Sequence, residues 1–275
     1  MYHVVKSCGC LSQNPVKHNV WFNGCGELSA RRWKNITSNA NKRSKQLSIN
    51  IKQAWDLFIK QNRKCALSGK ELYFGKITTA SLDRIDSNYG YTIDNIQWIH
   101  KHINSMKWDL PLEYFIYLCS IIVNPIKVLF PYNSTIITDK HYHSKAVGNI
   151  TGHLWARYKC AANKRRLPFN ITIDEAWDLF IKQKGACALT GLEIVLPNSG
   201  NTKEEANSTA SLDRIDSNYG YTIDNVQWVH KHINNKIKRE LGEPTVVEWC
   251  NNVIIYQHHH QLLNLQYSQF SHFSI

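Results

Sequence analysis

The chain has 275 residues, 43% hydrophobic and 20% charged, enough for one large or two modest globular domains with real cores. Its 33 Lys and Arg against 21 Asp and Glu leave a formal net charge of +12, which calls for an anionic partner, nucleic acid first and an anionic membrane second. The sequence has no apolar run of about 18 residues and no secretory leader over 1–10, which argues against a membrane, and its eight scattered cysteines are expected to be reduced thiols of an intracellular protein.

In chain order, residues 1–23 form an N-terminal segment with Cys8 and Cys10 two positions apart. A first helix is expected over 29–43, opening on a Ser cap. A second is expected over 51–61, with Trp55, Phe58 and Ile59 on one apolar face. Short strands at 80–85 and 95–99 flank a turn-rich loop holding Asp86, Ser87, Asn88 and Gly90. A third helix at 100–107 and a fourth near 112–123 follow.

The same order then repeats. Residues 80–97 recur as 210–227 with one difference, Ile96 against Val226, and the block 54–61 recurs unchanged as 176–183. The first pair is displaced by 130 positions (Asp83 to Asp213) and the second by 122 (Trp55 to Trp177), so the second copy carries eight extra residues between the blocks. They fall in the polar stretch 197–205, which reads as an exposed loop. The helices of the second copy are expected at 151–165, 173–183, 230–238 and 246–256. A repeat this long is a domain rather than a solenoid unit. The organisation expected is α+β, two tandem helical modules each with a hairpin-helix core: 24–132, a linker at 133–147, 148–257, and a disordered tail at 258–275 beginning with His258, His259 and His260.

The segment Leu-Asp-Arg-Ile-Asp, then Gly-Tyr, then Asp-Asn-Ile-Gln-Trp-Ile-His-Lys-His-Ile-Asn resembles the HNH, or ββα-metal, nucleases of phages and mobile elements. The resemblance covers the core of each half and extends loosely to the Trp-Asp-Leu-Phe helix and the Cys-Ala-Leu-Ser-Gly turn. It implies a metal-dependent DNA endonuclease using Mg²⁺ or Mn²⁺, with Asp83 and Asn104, and Asp213 and Asn234, as metal ligands. Asn95 and Asn225 take the position that orients the base.

The residue after the first ligand, usually His in that family, is Arg84 or Arg214 here, and Arg cannot act as an ordinary base. Its expected role is to clamp the scissile phosphate. The base is then His100, His102, His230 or His232, the phenol of Tyr91 or Tyr221, or a metal-bound water. Asp86 and Asp216 read as turn-formers. The structural four-cysteine zinc site of many HNH domains is not expected, because its places hold Cys65 with Ser68 and His100 with Ile103, then Cys187 with Thr190 and His230 with Ile233. Cys8 and Cys10 resemble the end of a truncated cysteine ribbon.

Basic residues of the first helices, Arg31, Arg32, Lys34, Lys42, Arg43 and Lys45, answered by Arg157, Lys159, Lys164, Arg165 and Arg166, suit phosphate contacts. The function expected is cleavage of double-stranded DNA by a monomer with internal pseudo-twofold symmetry, one strand per module. The competing expectation is a binding protein in which the Arg substitutions mark lost catalysis.

Overall fold

A computed structural model describes residues 24–126, 146–197, 208–239 and 241–270, with side chains through His259. The N-terminal segment with Cys8 and Cys10, the linker over 133–145 and the inserted loop over 198–205 lie outside the described residues.

The architecture is mixed helix and small sheet. In the first repeat a tight hairpin, β1 (Gly24–Cys25) and β2 (Leu28–Ser29), leads into α1 (Ala30–Lys42), α2 (Ile51–Lys60), the antiparallel pair β3 (Ala80–Arg84) and β4 (Ile96–His100), α3 (Lys101–Lys107) and α4 (Leu112–Val123). The second repeat gives α5 (Gly152–Lys164), β5 (Phe169–Asn170), α6 (Ile173–Lys182), β6 (Ala210–Arg214), β7 (Tyr221–Thr222), β8 (Val226–His230), a π-helical turn at Ile233–Lys238, and α7 (Glu243–Phe270). β6 pairs with β8 in the same register as β3 with β4.

The two repeated blocks recur together because they build one joint. The indole of Trp98 donates to the Ala54 carbonyl at 2.7 Å, and Phe58 meets the Trp98 ring edge-on. Gln61 then brackets the Trp98 backbone, accepting from its N–H at 2.9 Å and donating to its carbonyl at 2.9 Å. Trp228, Ala176, Phe180 and Gln183 repeat the joint in the second copy. Both tryptophans are fully buried, so each block satisfies polar groups that would otherwise be costly in the core. Gly26 and Gly148, at φ +55° and +53°, lie flat against Trp55 and Trp177, where a Cβ would stand 2.2 and 2.3 Å from the ring.

Two differences from the expected organisation appear. One compact unit is discontinuous in sequence, drawing on residues up to Phe115 and from Asn252 onward, and the other runs Ile116–Asn251. The dividing points fall inside α4 and α7, the helices expected to close each module. α7 also continues through His258 and His259 to Phe270, where a disordered tail is expected. No Gly and no Pro after Pro244 interrupts it, and Gln257 anchors its middle by donating to the Leu67 carbonyl at 3.2 Å.

Candidate nucleic-acid interface and hairpin-helix centre

The loop between β3 and β4 is held from both ends. Arg84 donates from Nη1 to the carbonyls of Ser87 (2.6 Å) and Tyr89 (2.8 Å), with its guanidinium 5.4 Å over the Tyr91 ring. Asn95 accepts from the Asp86 N–H at 2.9 Å and donates to the carbonyls of Asp86 and Gly90 at 3.0 and 2.9 Å. Asp86 accepts from the Asn88 N–H at 2.8 Å, an Asx turn. Arg214, Asn225 and Asp216 make the same bonds in the second unit. The arginines thus act as loop fasteners, a different use from the expected phosphate clamp, and Asn95 and Asn225 organise loop backbone.

Asp83 and Ser81 share one face of the hairpin, and α3 crosses that face. Asn104 donates to the Ser81 hydroxyl at 2.6 Å. One turn later Lys107, 0% exposed, places its ammonium 3.3 Å from Asp83 Oδ2 and donates to the Arg84 carbonyl at 2.9 Å. Gln97, directly across the ladder, donates to Asp83 Oδ2 at 3.0 Å. Burial pushes the Asp83 carboxyl up from its ordinary value, against the pull of Lys107 and Gln97.

The second unit keeps the pair with a different lysine. By the 130-residue offset Lys107 corresponds to Ile237, yet Lys238 reaches Asp213 Oδ2, at 2.6 Å. Gln227 donates to Asp213 at 3.0 Å and to Glu243 at 3.0 Å. The register change is visible in the closing bonds. Trp108 N–H bonds the carbonyl of Asn104, four residues back, whereas Arg239 N–H bonds that of Asn234, five back. One extra residue is absorbed as a π-turn, and Asn234 still donates to Ser211, at 2.9 Å.

A magnesium-type ion requires several free oxygen donors. Asp83 and Asp213 each face a buried ammonium and a glutamine amide, so their oxygens are engaged within the fold. Asn104 and Asn234 donate an amide N–H to serine, a bond that leaves Oδ1, the atom that would bind a metal, as an acceptor. With the lysines in place the carboxylates do not offer a divalent ion the free oxygens it needs. Among the described residues, no group of three or more His, Cys, Asp and Glu is gathered as for a metal.

The histidines stand apart from that pair. His100 pairs with Ala80, three residues along β3 from Asp83, a separation of roughly 10 Å at the strand rise. Its Nδ1 accepts the His102 N–H at 3.2 Å and caps α3. Burial first, then His102 and Lys101, push His100 down to about 4, and His230 is likewise pushed to about 4 beside His232 and Lys231. Both are neutral imidazoles at neutral pH. Cys65 is buried and its Sγ accepts the His100 N–H at 3.3 Å, and Cys187 is buried likewise. Tyr91 and Tyr221 are buried against the loop arginines.

The expected basic residues divide between the units. In the first, Arg32 and Arg43 line a cleft of about 300 Å³ between α1 and the hairpin, together with Asn35, Asn39, Ser81 and Asn104. Arg31 joins Arg32 in an adjoining hollow beside Phe74 and Thr78, while Lys34 and Lys42 project from exposed positions on α1. In the second, Arg157, Lys159, Lys164 and Arg166 are exposed, and Arg165 donates to the Tyr221 hydroxyl at 2.8 Å. Lys107, Lys238 and Tyr158 were not singled out by sequence reasoning. A lysine amid Met106, Trp108 and Leu110 was the available signal for the first.

No family model matches the chain, and no solved structure matches it. An uncharacterized protein of Acanthamoeba polyphaga mimivirus is 26% identical over 219 residues, covering 76% of this chain and 36% of that protein. The chain therefore spans about a third of the length of this relative. Among the described residues no helix is long and apolar enough to cross a membrane.

Proposed function

We propose that this chain is a nucleic-acid-binding protein made of two HNH-like modules that hold duplex DNA by its phosphates. The observation that carries this reading is the basic, carboxylate-free cleft between α1 and the hairpin, while the buried ion pair of each module, Lys107 with Asp83 and Lys238 with Asp213, is what favours binding over metal-dependent cleavage. A carboxylate neutralised inside the fold serves the hairpin-helix joint. The net charge of +12 and the arginines and lysines of α1 and α5 supply the sequence-independent attraction. Fluorescence anisotropy with a labelled duplex tests it: binding should be unchanged by EDTA and should weaken steeply as salt rises. Binding absent at low salt is the contrary result.

A second reading, a metal-dependent DNA endonuclease, is favoured by one observation: aspartate, loop-holding asparagine and helix asparagine recur at matching positions of a strand-loop-strand-helix core in both units. It requires Lys107 and Lys238 to leave their aspartates. Supercoiled plasmid with Mg²⁺, Mn²⁺ or EDTA tests it, with Asp83→Asn and Asp213→Asn as controls.

A further inference from the structure

We propose, building on the nucleic-acid reading above, that the cleft between α1 and the β3–β4 hairpin is a site for the phosphodiester backbone. We further propose that its counterpart in the second unit is closed by Tyr158, leaving one of the two equivalent clefts open.

Helical spacing sets the first wall. Arg32, Asn35, Asn39 and Arg43 fall on one stripe of α1, at steps of three and four residues, and that stripe faces the hairpin. Ser81 and Asn104 stand opposite, and the buried Tyr91 and Trp98 form the floor behind them. No carboxylate lines the cleft. Arg32 is anchored by a 2.8 Å bond from Nη2 to the Ala80 carbonyl and lies 5.6 Å over the Phe74 ring, so its fork is held in place with further N–H donors to offer. Among the described residues neither Arg32 nor Arg43 has a carboxylate partner. Guanidinium and amide donors around a concave space with no acid are the chemistry of phosphate recognition.

In the second unit the same helix positions read Leu154, Arg157, Ala161 and Arg165, with Tyr158 in place of Ile36. Leu154 is buried where Arg32 is half-buried with its guanidinium on the cleft. Tyr158 crosses to the hairpin: its hydroxyl accepts the Leu212 N–H at 3.1 Å, and its ring meets Trp228 edge-on at 6.2 Å. Trp155 packs beside it. Arg165 is drawn onto the Tyr221 hydroxyl. In α5 Leu154 and Tyr158 pack against the fold, while Arg157, Ala161 and Arg165 stay exposed.

The test transplants the plug into the full-length chain. Ile36→Tyr, and the triple variant Arg32→Leu, Ile36→Tyr, Asn39→Ala, are compared with Lys182→Ala, an exposed charge on α6 away from both clefts, by anisotropy on a short mixed-sequence duplex, with circular dichroism reporting folding. The triple variant should lose at least about tenfold in affinity while keeping its helical spectrum, and Arg43→Ala should lower the salt slope by about one. Lys182→Ala should change affinity less than about twofold. Folded plugged variants that bind as tightly as wild type would overturn the cleft assignment and leave the nucleic-acid reading standing. Wild type that binds no duplex at low salt overturns both.

Discussion

Lys238 reaches Asp213 at 2.6 Å from a helical turn that holds one residue more than the turn carrying Lys107 to Asp83. Two copies that differ in length at this point have kept the same buried pair, and the π-turn is the device that keeps it. Removing one partner of such a pair leaves an uncompensated charge in the core. Lys107→Met should therefore cost about 3–5 kcal/mol in chemical denaturation. Pairing it with Asp83→Leu should restore most of the loss.

The pH response of that variant follows from Asp83. Its folded carboxyl is raised by burial, so the folded state takes up a proton before the unfolded chain does, and acidification through that range adds stability. Losing Lys107 removes the main opposing pull and widens the window upward. Lys107→Met should regain stability relative to wild type as pH is lowered from neutral, read as converging denaturation midpoints.

The extra residue of the second unit should be dispensable. Deleting Asn235 turns Ile-Asn-Asn-Lys-Ile-Lys into Ile-Asn-Lys-Ile-Lys, which matches Ile-Asn-Ser-Met-Lys of α3 position for position. The deletion should leave an α-helical turn and shift stability by less than about 1 kcal/mol. Deleting Ser105 should instead draw Lys107 off Asp83 and cost several times more. Urea midpoints of the two deletions make the comparison.

His100 and His230 titrate with the opposite sign to Asp83. Each is pushed down to about 4, so the unfolded chain protonates first as pH falls below its ordinary value. Their stability is present above about 6.5 and is lost as pH falls towards 4. His100 is buried and His230 partly exposed, and screening holds the effect to about 2 kcal/mol or less each. His100→Asn, which keeps the acceptor that caps α3, should flatten the loss between these limits.

Arg84 and Asn95 should behave as fasteners of the loop. Arg84→Ala deletes two bonds to backbone carbonyls and should cost about 2 kcal/mol, and Asn95→Ala a similar amount by stranding loop N–H and carbonyl groups. Proteolysis within 85–91 should quicken in both. An arginine used only to clamp phosphate would leave stability unchanged.

Much of this fold was legible because the repeat aligned its own parts. The Trp98 joint is written in the two repeated blocks and the tryptophan that follows the second of them, and strand pairing followed from alternation bounded by turn residues. Three features were hidden. Fixed-offset comparison matched Lys107 to Ile237, since a one-residue insertion inside a helix leaves no Gly or Pro to mark it. The basic residues of α1 and α5 looked equivalent as charges, yet Tyr158 in place of Ile36 makes one face open and the other packed. Side-chain volume opposite the hairpin decided that, and composition does not carry it. The division into units through α4 and α7 was equally unmarked, because α4 is apolar around most of its circumference.

Supercoiled plasmid is the most direct test of the central claim, that the modules hold duplex with their carboxylates locked to lysine. Incubated with the full-length chain and Mg²⁺ or Mn²⁺, it should be retarded in a gel, equally with EDTA, and should run as intact supercoil once protein is stripped away. Nicked or linear plasmid that appears only with metal, and that Asp83→Asn together with Asp213→Asn abolishes, would contradict it.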